Sequence, residues 1–199
     1  MNVQATQIIP LSIAILGISL VSYSIQKDEV PGETIARMMK LGEELATPNT
    51  NHAYLARMAG DWTTSSTVMG MEPSSGSATY DMILGDRYLD GLHDGHFMGV
   101  PFEGRVTIGY DNYKHKFVAS YIDNLGTSIR NAEGMLDQSK TTLSLWGTMD
   151  EWMTDEHDKP VMYRYRIINE NTFSFEVHDL AMGNHSKVIE VLYTRVTAH

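Results

Sequence analysis

Short apolar runs separated by turn residues fill the sequence from Gly60 to the C-terminus. The runs are rich in β-branched and aromatic residues, and Gly, Asn, Asp and Pro recur between them, which is typical of strands joined by tight turns. Regular spacing of this kind favours an up-and-down meander of antiparallel strands. About ten strands are predicted, at residues 61–71, 77–84, 86–92, 102–109, 115–123, 127–136, 141–149, 161–168, 172–178 and 186–196.

No segment between these runs has the length and periodicity of a helix, so a parallel sheet with helical crossovers is disfavoured. An open sheet of this size would expose two unpaired edges, and closing the sheet on itself removes both. The predicted fold is therefore mainly β, with an antiparallel up-and-down β-barrel of about ten strands over residues 59–199.

The N-terminal segment differs from the rest of the chain in charge. The first 26 residues contain no Asp, Glu, Lys or Arg, whereas the remaining 173 contain all 15 basic and 25 acidic residues. Residues 8–25 are predominantly apolar, and as a helix they would be about 27 Å long, close to the roughly 30 Å hydrocarbon core of a bilayer. We expect a single transmembrane anchor within residues 1–27. The residues predicted to form the anchor in the bilayer are Ile8, Ile9, Leu11, Ile13, Ile15, Leu16, Ile18, Leu20, Val21 and Tyr23.

A cleaved secretory signal peptide is the alternative explanation of this segment. The basic residues that normally precede the apolar part of a signal peptide are missing, and no small-x-small cleavage motif follows it. The segment is therefore predicted to be an uncleaved, single-pass anchor. Residues 28–58 are predicted to form a helical linker, with one helix at residues 33–46 and a second at residues 51–58 that uses Asn51 as its N-cap.

Composition and motifs argue against several functions. The net charge of −10 disfavours nucleic acid as a partner, and the absence of cysteine excludes disulfides and thiolate metal sites. The sequence contains no nucleophile elbow, phosphate loop or dinucleotide fingerprint. His93-x-x-His96 lies in a Gly-rich polar stretch that we interpret as a solvated loop rather than a metal site. The chain is predicted to be non-enzymatic and to need no cofactor.

Gly60-Asp61-Trp62 begins the first predicted strand, and Tyr193-Thr194-Arg195 lies in the last one. This pair of motifs resembles the barrel closure of the lipocalin superfamily, in which an arginine of the last strand packs over the tryptophan of a Gly-x-Trp motif. A guanidinium can stack on an indole face while its N–H groups bond to backbone carbonyls. Gly60, Trp62 and Arg195 are therefore predicted to close one end of a lipocalin-like, or calycin-like, barrel.

The intervening sequence resembles the bacterial domain-of-unknown-function family numbered 1579, over about three quarters of the chain and in colinear order. The resemblance implies a calycin-like barrel and leaves the activity open, since the family has no agreed function. Family members usually have Trp at the position of Tyr121, and the predicted anchor lies outside the family domain. The matching segments are Thr47-Pro48, His52 with Leu55-Ala56, Ala59-Gly60-Asp61-Trp62, Leu84-Gly85-Asp86-Arg87-Tyr88-Leu89, Met98-Gly99-Val100-Pro101-Phe102-Glu103-Gly104, Gly109-Tyr110-Asp111-Asn112, Tyr121-Ile122-Asp123-Asn124, Glu133-Gly134 and Tyr193-Thr194-Arg195.

Two functions follow as hypotheses. The first is a non-catalytic accessory subunit, anchored in the bacterial inner membrane with its barrel on the periplasmic side and docked on other membrane-protein subunits, for example of a respiratory or photosynthetic complex. The second is a tethered carrier that binds a small apolar ligand, such as a lipid, a pigment or a haem-like molecule, inside the barrel. An enzyme of unknown reaction is the third. The residues predicted to line a ligand cavity or to contact a partner are Met69, Met82, Met98, Phe102, Tyr121, Trp146 and Trp152.

Overall fold

The computed structural model describes residues 31–152 and 154–197, which divide after Thr47 into two compact units. The first unit includes helix α1 (Pro31–Ala46), and the second contains helix α2 (Thr50–Ala56) and all the strands. The predicted anchor at residues 8–25 lies outside the described residues. Within them, no helix is both long and apolar enough to cross a membrane.

Ten antiparallel strands form a closed barrel, which confirms the predicted mainly β fold. Each strand pairs with its neighbours in the chain, and β1 pairs with β10 to close the sheet, with Trp62 opposite Arg195. A short 3₁₀ segment (Leu180–His185) joins β9 to β10. The strands are β1 (Gly60–Val68), β2 (Ser74–Ile83), β3 (Tyr88–Phe97), β4 (Val100–Asp111), β5 (Lys116–Asp123), β6 (Arg130–Leu136), β7 (Thr142–Glu151), β8 (Glu156–Asn169), β9 (Thr172–Asp179) and β10 (Lys187–Arg195).

The strand ends differ from the predicted ones most clearly in β3 and β8. β3 was expected to end at residue 92, but it continues to Phe97 because the Gly-rich stretch pairs along its whole length with β4. His93 therefore lies in a strand, and the interpretation of the His93–His96 stretch as a loop is wrong. β8 begins at Glu156, five residues before its predicted start, and forms a long hairpin with β7.

One end of the barrel is closed by α2. The side chains of Tyr54, Leu55 and Met58 are buried within the main apolar core at that end. The N-cap of α2 is Asn49, two residues before the predicted Asn51. The Asn49 side chain accepts a hydrogen bond from the Asn51 N–H, and His52 Nδ1 accepts one from the Asn49 N–H. Histidine replaces the usual Glu or Gln of a capping box, which explains why the sequence pattern was missed.

Candidate ligand cavity

The barrel encloses a cavity of about 720 Å³ that opens at the end opposite α2. This volume lies within the range of about 300–1,000 Å³ that is common for small-molecule sites. Strand alternation carries small or apolar side chains to its walls, because every second residue of a β-strand points inward. The inner wall includes Val106, Ala119, Ala132, Leu145, Phe175, Val177 and Val191.

The floor of the cavity includes His93 and Tyr193, and the fully buried Tyr80 completes a hydrogen-bonded group with them. His93 Nε2 lies 3.2 Å from the Tyr80 hydroxyl, and its Nδ1 lies 3.4 Å from the Tyr193 hydroxyl. Burial lowers the pKa of His93 to about 4, so the imidazole is neutral near pH 7. Burial also raises the pKa of both tyrosines, which therefore keep their protons. The floor is polar and uncharged.

A column of aromatic rings connects this floor to the closed end. The rings of Tyr193 and Phe173 stack with centroids 4.1 Å apart, and the Trp62 indole meets Phe173 edge-on at 4.7 Å. The guanidinium carbon of Arg195 lies 4.1 Å from the centre of the Trp62 ring. Stacked and edge-to-face rings contribute beyond the area that they bury. This column makes the floor a rigid boundary, because no element of it is a loop.

Charged side chains enter the cavity on its β5–β6 wall. Arg130 Nη1 donates to Asp123 Oδ2 at 2.7 Å, and the guanidinium lies 5.5 Å from the centre of the Tyr121 ring. The ring of Tyr163 on β8 lines the same cavity. Its hydroxyl is the one buried side-chain polar atom, among those that the structure describes, with no hydrogen-bond partner. The β5–β6 wall therefore carries an ion pair, in addition to the uncharged polar groups of the floor.

The mouth of the cavity is formed by the turns that follow β3, β5 and β7. Phe97, Met98 and Phe102 contribute apolar surface from one side. Trp152 lies in the β7–β8 turn with 86% of its surface exposed. Asp150 and Glu151 border it and also line the mouth. The opening is therefore wide, apolar at its centre and acidic on one side.

A family model described as "Protein of unknown function (DUF1579)" matches residues 47–195. The chain belongs to the DUF1579 family. The match covers α2 and the whole barrel, and it ends at the arginine that covers Trp62. Membership supports the predicted resemblance and adds no activity.

The solved structures that match this DUF1579 barrel include two redesigned β-barrels. The match to one redesigned β-barrel covers 72% of this chain and 96% of the other, with 11% identity and a TM-score of 0.40. A second redesigned β-barrel, mFAP0 bound to DFHBI, covers 70% of this chain and 99% of its own, with 12% identity and a TM-score of 0.41. Comparison with curated proteins gives no match.

The predicted site residues occupy several different places in this DUF1579 protein. Met98, Phe102, Tyr121 and Trp152 line the cavity or its mouth. Met69 is exposed in the turn after β1, Met82 packs against the core, and Trp146 points outward from β7. Gly60, Trp62 and Arg195 meet at the closed end. Arg195 donates to the carbonyls of Glu170, Ala59 and Arg57 at 3.0, 2.7 and 3.1 Å.

Sequence reasoning missed the polar residues of the cavity. From the sequence, His93 is predicted to lie in a solvated stretch, and no role is assigned to Asp123 or Arg130. In the structure, one carboxylate oxygen of Asp123 accepts the Leu125 N–H in the turn after β5, and the other accepts Arg130 Nη1 in the cavity. The available signal was strand parity, since Arg130, Ala132 and Gly134 alternate with exposed residues of β6.

Histidines do not converge on a metal site in the described parts of the chain, where no cluster of three potential ligands is found. His93 and His96 lie three residues apart on one strand, so they point to opposite faces of the sheet. His178 lies on the outer face of β9, where its Nε2 is 2.8 Å from Glu176 and its Nδ1 is 3.1 Å from the Ser186 hydroxyl. It cannot reach the cavity from there.

Proposed function

We propose that the DUF1579 barrel binds a small, predominantly apolar molecule in its cavity and holds it as a carrier. The observation that supports this is the cavity of about 720 Å³, open at one end and floored by a rigid aromatic column at the other. A barrel with no ligand function could fill this space with larger side chains, yet Ala119 and Ala132 occupy inward positions of β5 and β6.

A neutral fluorescent probe tests the proposal. N-phenyl-1-naphthylamine brightens in apolar surroundings, and we expect saturable binding to the purified protein. Ala132→Phe should abolish binding, because the added ring occupies the cavity. Asn131→Phe, whose ring would point outward from the neighbouring position, should bind like the wild type. Both variants are checked for folding by circular dichroism. Unsaturable binding, or equal binding by the two variants, contradicts the proposal.

Overpacking at position 132 could itself destabilise the barrel. Ala119→Phe provides an independent block from the adjacent strand, with outward-facing Ser120→Phe as its control.

Native mass spectrometry of the protein purified from its natural source adds a direct measurement. We expect a mass above that of the chain, which returns to the chain mass after organic extraction.

A second candidate function is docking on another protein, as expected for an accessory subunit. Trp152 supports it, because an 86% exposed indole bordered by acidic residues is the kind of aromatic anchor that partners bury. Native gel electrophoresis of gently solubilised membranes tests it. Wild type and Trp146→Ser should both migrate in a large assembly, whereas Trp152→Ser should migrate alone. A wild-type protein that migrates only as a free monomer rules this function out.

The remaining predictions about the setting of the barrel stay proposals. A membrane tether depends on residues 8–25, and so does placement at the bacterial inner membrane with the barrel on the periplasmic side. Fractionation of cells that express the full chain, compared with a chain beginning at residue 28, measures the tether directly. The tethered-carrier proposal requires the shorter chain to leave the membrane fraction and to keep probe binding.

A further inference from the structure

Arg130 places unused hydrogen-bond donors in the cavity. A guanidinium has five N–H donors, and within residues 31–152 and 154–197 only one of them, on Nη1, has an acceptor, Asp123. The side chain of Asp123 is 7% exposed and that of Arg130 is 29% exposed, so the guanidinium is half-buried and faces the cavity. A ligand acceptor in the cavity can bond to its remaining donors without displacing Asp123.

Tyr163 on β8 is a second hydrogen-bond donor in the neighbourhood of Arg130. Its hydroxyl is buried without a hydrogen-bond partner among the described residues, while its ring lines the cavity. Arg130 is close enough to oppose, by its charge, the effect of burial that raises the pKa of Tyr163. Because the Tyr163 hydroxyl is itself buried, Arg130 on β6 is the donor of this pair that a ligand in the cavity can reach.

The charges around this wall select the kind of acceptor. Asp123 already neutralises Arg130, so a carboxylate or phosphate bound there would be left with net negative charge in an apolar interior. Asp150 and Glu151 border the mouth, and the whole chain carries a net charge of −10. Both features oppose the approach of an anion. An uncharged acceptor adds no net charge to the interior and is not repelled by the acidic mouth.

We infer that the ligand is an apolar molecule with one neutral hydrogen-bond acceptor, a carbonyl oxygen in chemical type, which Arg130 binds at the β5–β6 wall. This inference rests on the proposed ligand-binding function. It extends that function from "apolar" to a class that includes ketones, esters, amides and quinones, and it disfavours free fatty acids and hydrocarbons.

Three naphthalene derivatives of nearly equal size test the class by displacement of N-phenyl-1-naphthylamine from the full chain. The compounds are 2-acetylnaphthalene, 2-ethylnaphthalene and 2-naphthoate, which place a ketone, a methylene or a carboxylate at the same position. We expect the ketone to bind about tenfold more tightly than the hydrocarbon, from the usual contribution of a hydrogen bond to a charged donor. The carboxylate should bind more weakly than the ketone.

Variants assign this preference to Arg130. Arg130→Met should bind the ketone and the hydrocarbon equally. Arg105→Met is the matched control and should keep the preference, because Arg105 pairs with Asp90 on the outer face. Since Arg130→Met leaves the Asp123 carboxylate buried without its partner, the double variant Arg130→Met/Asp123→Asn removes both charges together. It should also lose the preference for the ketone, and circular dichroism checks that it is folded.

Each outcome has one meaning. Equal affinities of the wild type for ketone and hydrocarbon overturn the inference, and so does a preference that survives in both Arg130 variants. Tighter binding of the carboxylate shows an anion site and overturns the neutral class. If neither the probe nor any naphthalene binds, the proposed ligand-binding function fails and the inference fails with it. If all bind equally, the function stands and only the inference is lost.

Discussion

Arg195 covers the indole of Trp62, with its guanidinium carbon 4.1 Å from the ring centre, at the register position where the last strand pairs with the first. The guanidinium also donates to three backbone carbonyls, two of which belong to the segment between α2 and β1. Trp62 in turn donates from Nε1 to the Met58 carbonyl at 3.0 Å. The pair therefore joins both ends of the barrel sheet to the helical cap.

Removing the Arg195 guanidinium should destabilise the barrel. Arg195→Met keeps an apolar stem over Trp62 but loses three charged hydrogen bonds, so we expect the free energy of unfolding in urea to fall by about 2–3 kcal/mol. The free energy of unfolding of Arg195→Lys should lie between those of this variant and the wild type, because an ammonium cannot donate to all three carbonyls from the same position. Arg105→Met, which breaks an exposed ion pair, should lose less than about 1 kcal/mol. Similar losses for positions 195 and 105 would contradict the proposed role.

Gly134 is required by the approach of two strand backbones. A Cβ at this position would overlap the Ser144 carbonyl oxygen and lie 2.8 Å from Leu145 Cα, both on the paired strand β7. Because backbone atoms cannot rotate away, Gly134→Ala should cost about 3 kcal/mol or prevent folding. Gly126→Ala is the control, since a Cβ there meets nothing within 4 Å. Thermal melting of both variants measures the difference, and equal melting temperatures would refute it.

Removing the hydroxyl of Tyr163 and removing that of Tyr80 should change the stability of the barrel in opposite directions. Tyr163→Phe deletes a buried hydroxyl without a partner, so we expect the ligand-free protein to gain about 1 kcal/mol of stability. Tyr80→Phe deletes a hydroxyl bound to His93 and should lose about 1 kcal/mol. Urea unfolding of both variants gives the comparison. A loss of stability in Tyr163→Phe would show that its hydroxyl has a partner in solution, such as bound water.

His93 should make the barrel sensitive to mild acid. Its pKa is about 4 in the folded chain and near 6.5 when unfolded, so the unfolded chain binds the proton first as the pH falls. The resulting stability is complete above pH 6.5 and is lost between pH 6.5 and 4. At pH 4.5 the loss amounts to about 2–3 kcal/mol.

A glutamine at position 93 isolates this effect, because it keeps hydrogen-bonding groups and does not titrate. Carboxylates also titrate in acid, so the quantity to measure is the difference between wild type and His93→Gln at pH 7.5 and at pH 4.5. We expect the variant to lose about 2–3 kcal/mol less than the wild type between these values. His157→Gln removes an exposed histidine and should follow the wild type. Parallel pH profiles for all three proteins would disprove the role of His93.

The barrel could be predicted from the sequence because its determinants are local. Turn residues separate the strands, and Trp62 and Arg195 occur in recognisable motifs at the two ends of the sheet. The polar groups of the cavity could not be predicted, because they depend on register. His93 is half-buried, and β2 and β10 bring Tyr80 and Tyr193 to its two ring nitrogens. Strand parity points Arg130 inward, but its pairing with Asp123 across the β5–β6 connection depends on how the two strands are paired.

The pairing of β1 with β10 also orders events during synthesis. Strands β2 to β9 can each pair with the preceding strand as the chain emerges, since all of these pairings join sequence neighbours. β1 alone waits for a partner more than a hundred residues downstream, and until then its edge can pair with another chain. A chain whose synthesis stalls before residue 187 would therefore expose an open sheet with unpaired strand edges, which can pair with another chain. Completion of the last nine residues of the barrel, Lys187–Arg195, converts it into a closed one.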